Sequence, residues 1–116
     1  MAVILDIEQP EDFLADFKKK TENSQIDSWR CDGDGDFTCI LSNMEDKAWF
    51  HPYIVSDNRL VLGILGRKNV MLTMSEYSIY HSSMVNTILY FFSKRIRFIR
   101  VTAPLESEFD TRHVDY

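Results

Sequence analysis

Apolar residues recur at helical spacing over one long stretch of the chain, residues 73–93, TMSEYSIYHSSMVNTILYFFS. With Tyr77 at zero on a helical wheel, Tyr80, His81, Met84, Val85, Ile88, Phe91 and Phe92 share one arc, and Ser78, Ser82, Ser83 and Asn86 lie opposite. The pattern predicts a helix that buries one side. Thr73 and Glu76 stand at the spacing in which each side chain accepts from the other residue's backbone N–H, which marks the start of the helix. Ile79 and Tyr90 do not fit its polar side; they predict partial cover of the helix back or contact area for another chain, as in a homodimer.

A shorter helix is predicted over residues 10–20. Pro10 suits the first helical position, Glu11 and Asp12 the first turn, and Lys18, Lys19 and Lys20 the last, which complements the macrodipole at both ends. Phe13, Leu14 and Phe17 form its apolar stripe, with Asp12, Asp16 and Lys20 facing out.

The remaining apolar segments read as strands. Residues 26–31 and 37–43 flank Asp32-Gly33-Asp34-Gly35-Asp36 and predict a hairpin, with Phe37, Cys39 and Leu41 on one face. Residues 48–55 are apolar on both faces, Trp49, Tyr53 and Val55 on one and Ala48, Phe50 and Ile54 on the other, and Pro52 predicts an edge or a bulge. The near-continuous apolar run in residues 59–66 predicts a central strand covered on both sides, and residues 70–72 a brief strand leading into the Thr73 cap. In residues 95–101 the alternation of Ile96 and Phe98 slips so that Ile99 and Val101 take the apolar face, which predicts a bulge near Phe98 in an arginine-guarded edge strand. The run at residues 2–5 predicts an edge strand or an anchor under the first helix. Residues 104–116 read as a semi-ordered acidic tail. The fold expected is a single α+β domain over residues 1–116: an antiparallel meander of four to five strands, one long helix packed on a face, and a short N-terminal helix.

Composition changes this picture little. With 45% hydrophobic residues, the 116-residue chain can bury a core without disulfide or metal. Two thiols at Cys31 and Cys39 are therefore favoured over a disulfide. No apolar run approaches the roughly 20 residues of a membrane span, and the N-terminus has no basic region. A cytoplasmic protein without membrane contact is expected.

Charge is more informative. Residues 1–46 hold twelve acidic against four basic side chains, residues 47–103 two against eight, and residues 104–116 four against one. An electrically lopsided molecule is expected, one that steers a basic partner and disfavours nucleic acid, whose affinity comes from phosphate neutralisation.

Candidate chemistry is sparse. Asp32, Asp34 and Asp36 imitate the opening of an EF-hand loop, but the glycine position is Phe37 and the terminal glutamate position is Asn43, so a hairpin turn or an acidic contact surface is expected rather than a metal site. His51, His81 and His113 show no ligand spacing. No nucleophile elbow, phosphate loop or paired CxxC is present, so no cofactor and no catalytic group is assigned. His81 lies inside the buried arc of the long helix and must find a hydrogen-bond partner or border a pocket.

In size, acidity and lack of catalytic motif the chain resembles the small cytosolic immunity proteins that neutralise bacterial toxins, many of them nucleases. The resemblance rests on the profile of the whole chain and transfers no residues. It implies a non-enzymatic inhibitor that blocks a basic toxin domain with an acidic surface, for which Asp32, Asp34, Asp36, Asp12 and Asp16 are the candidates. The alternative is a small-molecule-binding or enzymatic domain with a pocket between the long helix and the sheet, lined by Tyr77, His81, Trp49 and Tyr53.

Overall fold

The computed structural model describes residues 2–41, 43–67, 71–102 and 110–111. In chain order the elements are β1 (Val3–Ile7), α1 (Pro10–Glu22), β2 (Trp29–Cys31), β3 (Phe37–Cys39), β4 (Ala48–Ser56), β5 (Arg59–Gly66), α2 (Met74–Phe92), β6 (Ile96–Val101) and β7 (Asp110–Thr111), with a 3-10 turn at Ser93–Arg95 joining α2 to β6. The sheet runs β2-β3-β4-β5-β1-β6, antiparallel throughout, and β7 lies parallel to β5 beyond the end of β1.

The fold is α+β as the sequence indicates, but the strand count is higher than four to five. The meander β2 to β5 forms; the extra strand is β1, which sits inside the sheet between β5 and β6 and is neither an edge nor a helix anchor. Its sequence VILDI alternates, sending Val3, Leu5 and Ile7 into the core and Ile4 and Asp6 to the other face. Asp6 is tolerated in an interior strand because cations from both neighbours reach it, Arg59 at 3.4 Å and Arg100 at 4.0 Å.

The long apolar strand is central, as its composition requires: β5 pairs with β4 along one side and with β1 and β7 along the other. Pro52 has no N–H to donate and lies past the single Phe37↔Phe50 pair that links β3 to β4, where β4 is flanked by β5 alone. The predicted slip in β6 is present. Asp6 pairs with Phe98 but Ile7 with Ile96, so Arg97 is the extra residue of a bulge, and Ile96 and Ile99 pack on the core while Phe98 turns outward. Met71 and Leu72 form no strand. Val70 and Pro104 lie outside the described residues.

Both helices cover the same face. Thr73 caps α2 with the expected reciprocal box, its Oγ1 accepting from Glu76 N–H (3.1 Å) while Glu76 Oε1 accepts from Thr73 N–H (2.9 Å). The helix buries Tyr77, Tyr80, His81, Met84, Ile88 and Phe92 from the predicted arc, and Thr87 besides. Phe13 and Phe17 of α1 pack on Phe92, at ring separations of 4.7 and 5.6 Å, and Phe17 reaches Phe37 of β3 at 4.7 Å. These four rings lock α1, the end of α2 and the hairpin together.

The hydroxyl of Tyr80 extends past the core to the start of β4. It donates to Met44 C=O, accepts from Ala48 N–H (3.2 Å) and lies 3.1 Å from the buried hydroxyl of Thr38. Thr38 Oγ1 in turn bonds Ala48 C=O (2.9 Å) and accepts from Asp46 N–H (3.0 Å). The loop between β3 and β4 is thereby tied to α2, which satisfies backbone groups that no strand partner reaches.

Candidate functional site

The acidic hairpin turn is built by its first residue. Asp32 N–H donates to Asp36 C=O (2.9 Å) and Gly35 N–H to Asp32 C=O (3.2 Å). Gly35 holds φ at +82°, which favours glycine. The Asp32 carboxylate accepts from Asp34 N–H (2.9 Å) and Asp36 N–H (3.0 Å), so it organises the turn from within. Asp34 is exposed at the tip. Asp36 points back: its Oδ1 accepts from His51 Nδ1 of β4 at 2.5 Å, and the His51 ring meets Tyr53 edge-on at 4.7 Å. Burial pushes the Asp36 carboxyl above the usual carboxylate range, assisted by the Asp32 and Asp34 charges; the hydrogen bond and charge of His51 oppose the shift.

The hairpin stands beside the second half of α1. Lys18, Glu22, Asp32 and Asp36 all act electrostatically on the Cys31 thiol, whose pKa is raised mainly by burial. A shallow cleft of about 250 Å3 runs past Glu22, Asp27, Trp29 and Arg30. Glu22 and Asp27 share this cleft with Arg30, and the last turn of α1 beside it carries Lys19 and Lys20, so the carboxylates here are mixed with cations. Neither carboxylate was singled out by the sequence, which gives no pairing between a helix C-terminus and a hairpin.

Asp12 and Asp16 have neighbours other than the acidic turn. Asp12 lies at the start of α1, beside Ile54, Ser56 and Asp57. Asp16 is held by Lys20 and by Arg95 of the 3-10 turn, each at 3.3 Å. The charge asymmetry of the sequence is also softened, because cations of the basic segment pair with carboxylates of the acidic one: Arg97 with Glu8 at 2.8 Å, and Arg59 and Arg100 with Asp6.

The four residues considered for a pocket fall on two faces. Tyr77 and His81 belong to the buried side of α2, where His81 Nδ1–H donates to Tyr77 C=O (2.7 Å) and its ring meets Phe50 edge-on at 5.1 Å. Phe50 points to the helices, so by strand alternation Trp49 and Tyr53 point to the opposite face of the sheet. What the helix and sheet do form is an open groove of about 480 Å3 between the flank of α2 and the end of β6, lined by Ser78, His81, Ser82, Val85, Leu89 and Val101 among others.

Cys31 and Cys39 are free thiols, both raised in pKa chiefly by burial. Among the described residues no cluster of His, Cys, Asp or Glu is arranged to hold a metal ion. No helix among them is long and apolar enough to cross a membrane. Comparisons with protein families, with curated proteins and with solved structures found no match.

Proposed function

We propose that this protein binds and blocks a basic protein partner, such as a toxin domain of nuclease type, through the acidic β2–β3 turn. The observation that carries this reading is the fixed geometry of the turn: the Asp32 carboxylate holds the Asp34 and Asp36 amides, and Asp34 is presented outward without a side-chain cation among the described residues. A carboxylate on a rigid turn loses little entropy on binding, and the Asp32 and Asp36 charges in the same turn add to a field that accelerates capture of a cationic surface. A nuclease cleft binds phosphates with Lys and Arg, so an ordered set of carboxylates is a suitable competitor for it.

The roles within the set are unequal. Asp34 supplies contact charge, Asp32 supplies rigidity, and Asp36 is engaged by His51. The test is co-expression with the product of the neighbouring gene followed by co-purification at low salt. Retention by the native chain and loss on the substitution Asp34→Lys supports the reading. Equal retention by both forms sinks it.

A further inference from the structure

At the edge of the sheet opposite the acidic hairpin, β6 has β1 as its one strand neighbour among the described residues. Thr102 N–H donates to Ala2 C=O at 3.1 Å. Bonded and non-bonded pairs alternate along an antiparallel ladder. Arg100 and Phe98 therefore bond inward to Ile4 and Asp6, and Ile99 and Val101 turn their N–H and C=O groups outward. The side chains of Ile99 and Val101, paired with the core residues Leu5 and Val3, lie on the α2 side. There the open groove of about 480 Å3 begins, floored by Val85 and walled by Leu89 and Val101, which remain 52% and 44% exposed. Backbone groups without a partner among the described residues and an apolar groove thus lie side by side, between a strand edge and a helix.

We propose that β6 and this groove form a docking site for an extended, acidic-and-apolar segment of a partner protein, which adds to the sheet as a further strand. Side chains directly opposite each other in a sheet share a face. Guest residues facing Ile99 and Val101 would lie in the groove and should be apolar. Those between them face Phe98 and Arg100 on the other side of the sheet, where Arg97 and Arg100, although they reach Glu8 and Asp6 at 2.8 and 4.0 Å, keep 61% and 59% of their side chains exposed and have donors left for a guest's carboxylates. A second copy of this chain fits less well, because it would bring Arg97 and Arg100 of both chains to one seam. This site is separate from the acidic β2–β3 turn in position and in charge preference, and it stands whether or not that turn binds a basic protein.

The test uses the full chain and a short alternating valine–glutamate peptide as probe, followed by amide NMR. Expected are shifts at Ile99, Val101, Val85 and Leu89, and slower hydrogen exchange of the Ile99 and Val101 amides. Leu89→Ser, at an exposed position, should weaken binding roughly tenfold, and Asp34→Lys should leave it unchanged. An alternating valine–lysine peptide should bind more weakly, and a copy of the probe N-methylated at alternate amides should fail in the bonding phase. The proposal is overturned if the probe does not bind, if both N-methylated phases bind alike, if the shifts fall elsewhere, or if the face instead closes a homodimer that Leu89→Ser dissociates.

Discussion

His51 on β4 and Asp36 at the end of the acidic turn meet at 2.5 Å, joining two positions that the hairpin brings together across the β3–β4 pairing. The contact decides the chemistry of the turn, because it removes Asp36 from the set of freely presented carboxylates.

The Asp36 carboxyl has its pKa raised in the folded protein, so the native state binds that proton more tightly than the unfolded chain does. Stability contributed by this group is present at low pH and declines as pH rises from the ordinary aspartate value through the raised folded value. Asp36→Asn should flatten this part of the profile in urea titrations run across the acidic range. At neutral pH, His51→Ala leaves a largely buried carboxylate without its donor and should cost about 1–3 kcal/mol.

Glu76 behaves in the opposite sense. Its pKa is lowered, first by Lys47, whose Nζ lies 2.5 Å away, and then by the Thr73 amide. Its contribution is present above the ordinary glutamate value and is lost as pH falls through the lowered one. Glu76→Gln should remove that acid-limb dependence. Thr73→Ala should cost about 1 kcal/mol through the lost cap, read as a lower urea midpoint.

Tyr80→Phe keeps the ring and removes the hydroxyl that binds Met44 C=O and Ala48 N–H. A loss of about 1–3 kcal/mol is expected, because the buried Ala48 N–H loses this acceptor, whereas Met44 C=O keeps the Lys47 N–H at 3.3 Å. Faster hydrogen exchange at Ala48 than at β1 amides would place the effect in the loop between β3 and β4; a uniform change would argue against it.

Phe17→Ala empties the junction of α1, α2 and β3 and should cost about 3–5 kcal/mol, with the chain partly unfolded at 37 °C. Thermal unfolding followed by tryptophan fluorescence measures it.

What was legible in the sequence was local. The α2 helix could be read because its apolar arc and its cap lie within one segment, and the β6 bulge because a phase slip is visible in the order of Ile96, Phe98, Ile99 and Val101. The place of β1 could not be read, since insertion between β5 and β6 depends on partners more than fifty residues away, such as Arg59 for Asp6. The same limit applies to the candidate sites. Alternation in β4 separates Trp49 and Tyr53 from Phe50, but which side faces α2 is fixed only by packing. The profile of charge along the chain likewise does not show that Arg95, Arg97 and Arg100 return to Asp16, Glu8 and Asp6.

The central claim is that fixed carboxylates at the hairpin end capture a cationic partner. Its most direct test is the association rate with the co-purified partner as a function of ionic strength, for the native chain and for Asp34→Lys. The account predicts a rate that falls steeply with salt and a shallower dependence, with slower association, in the variant. Rates that are insensitive to salt, or salt dependences that coincide for the two proteins, would contradict it.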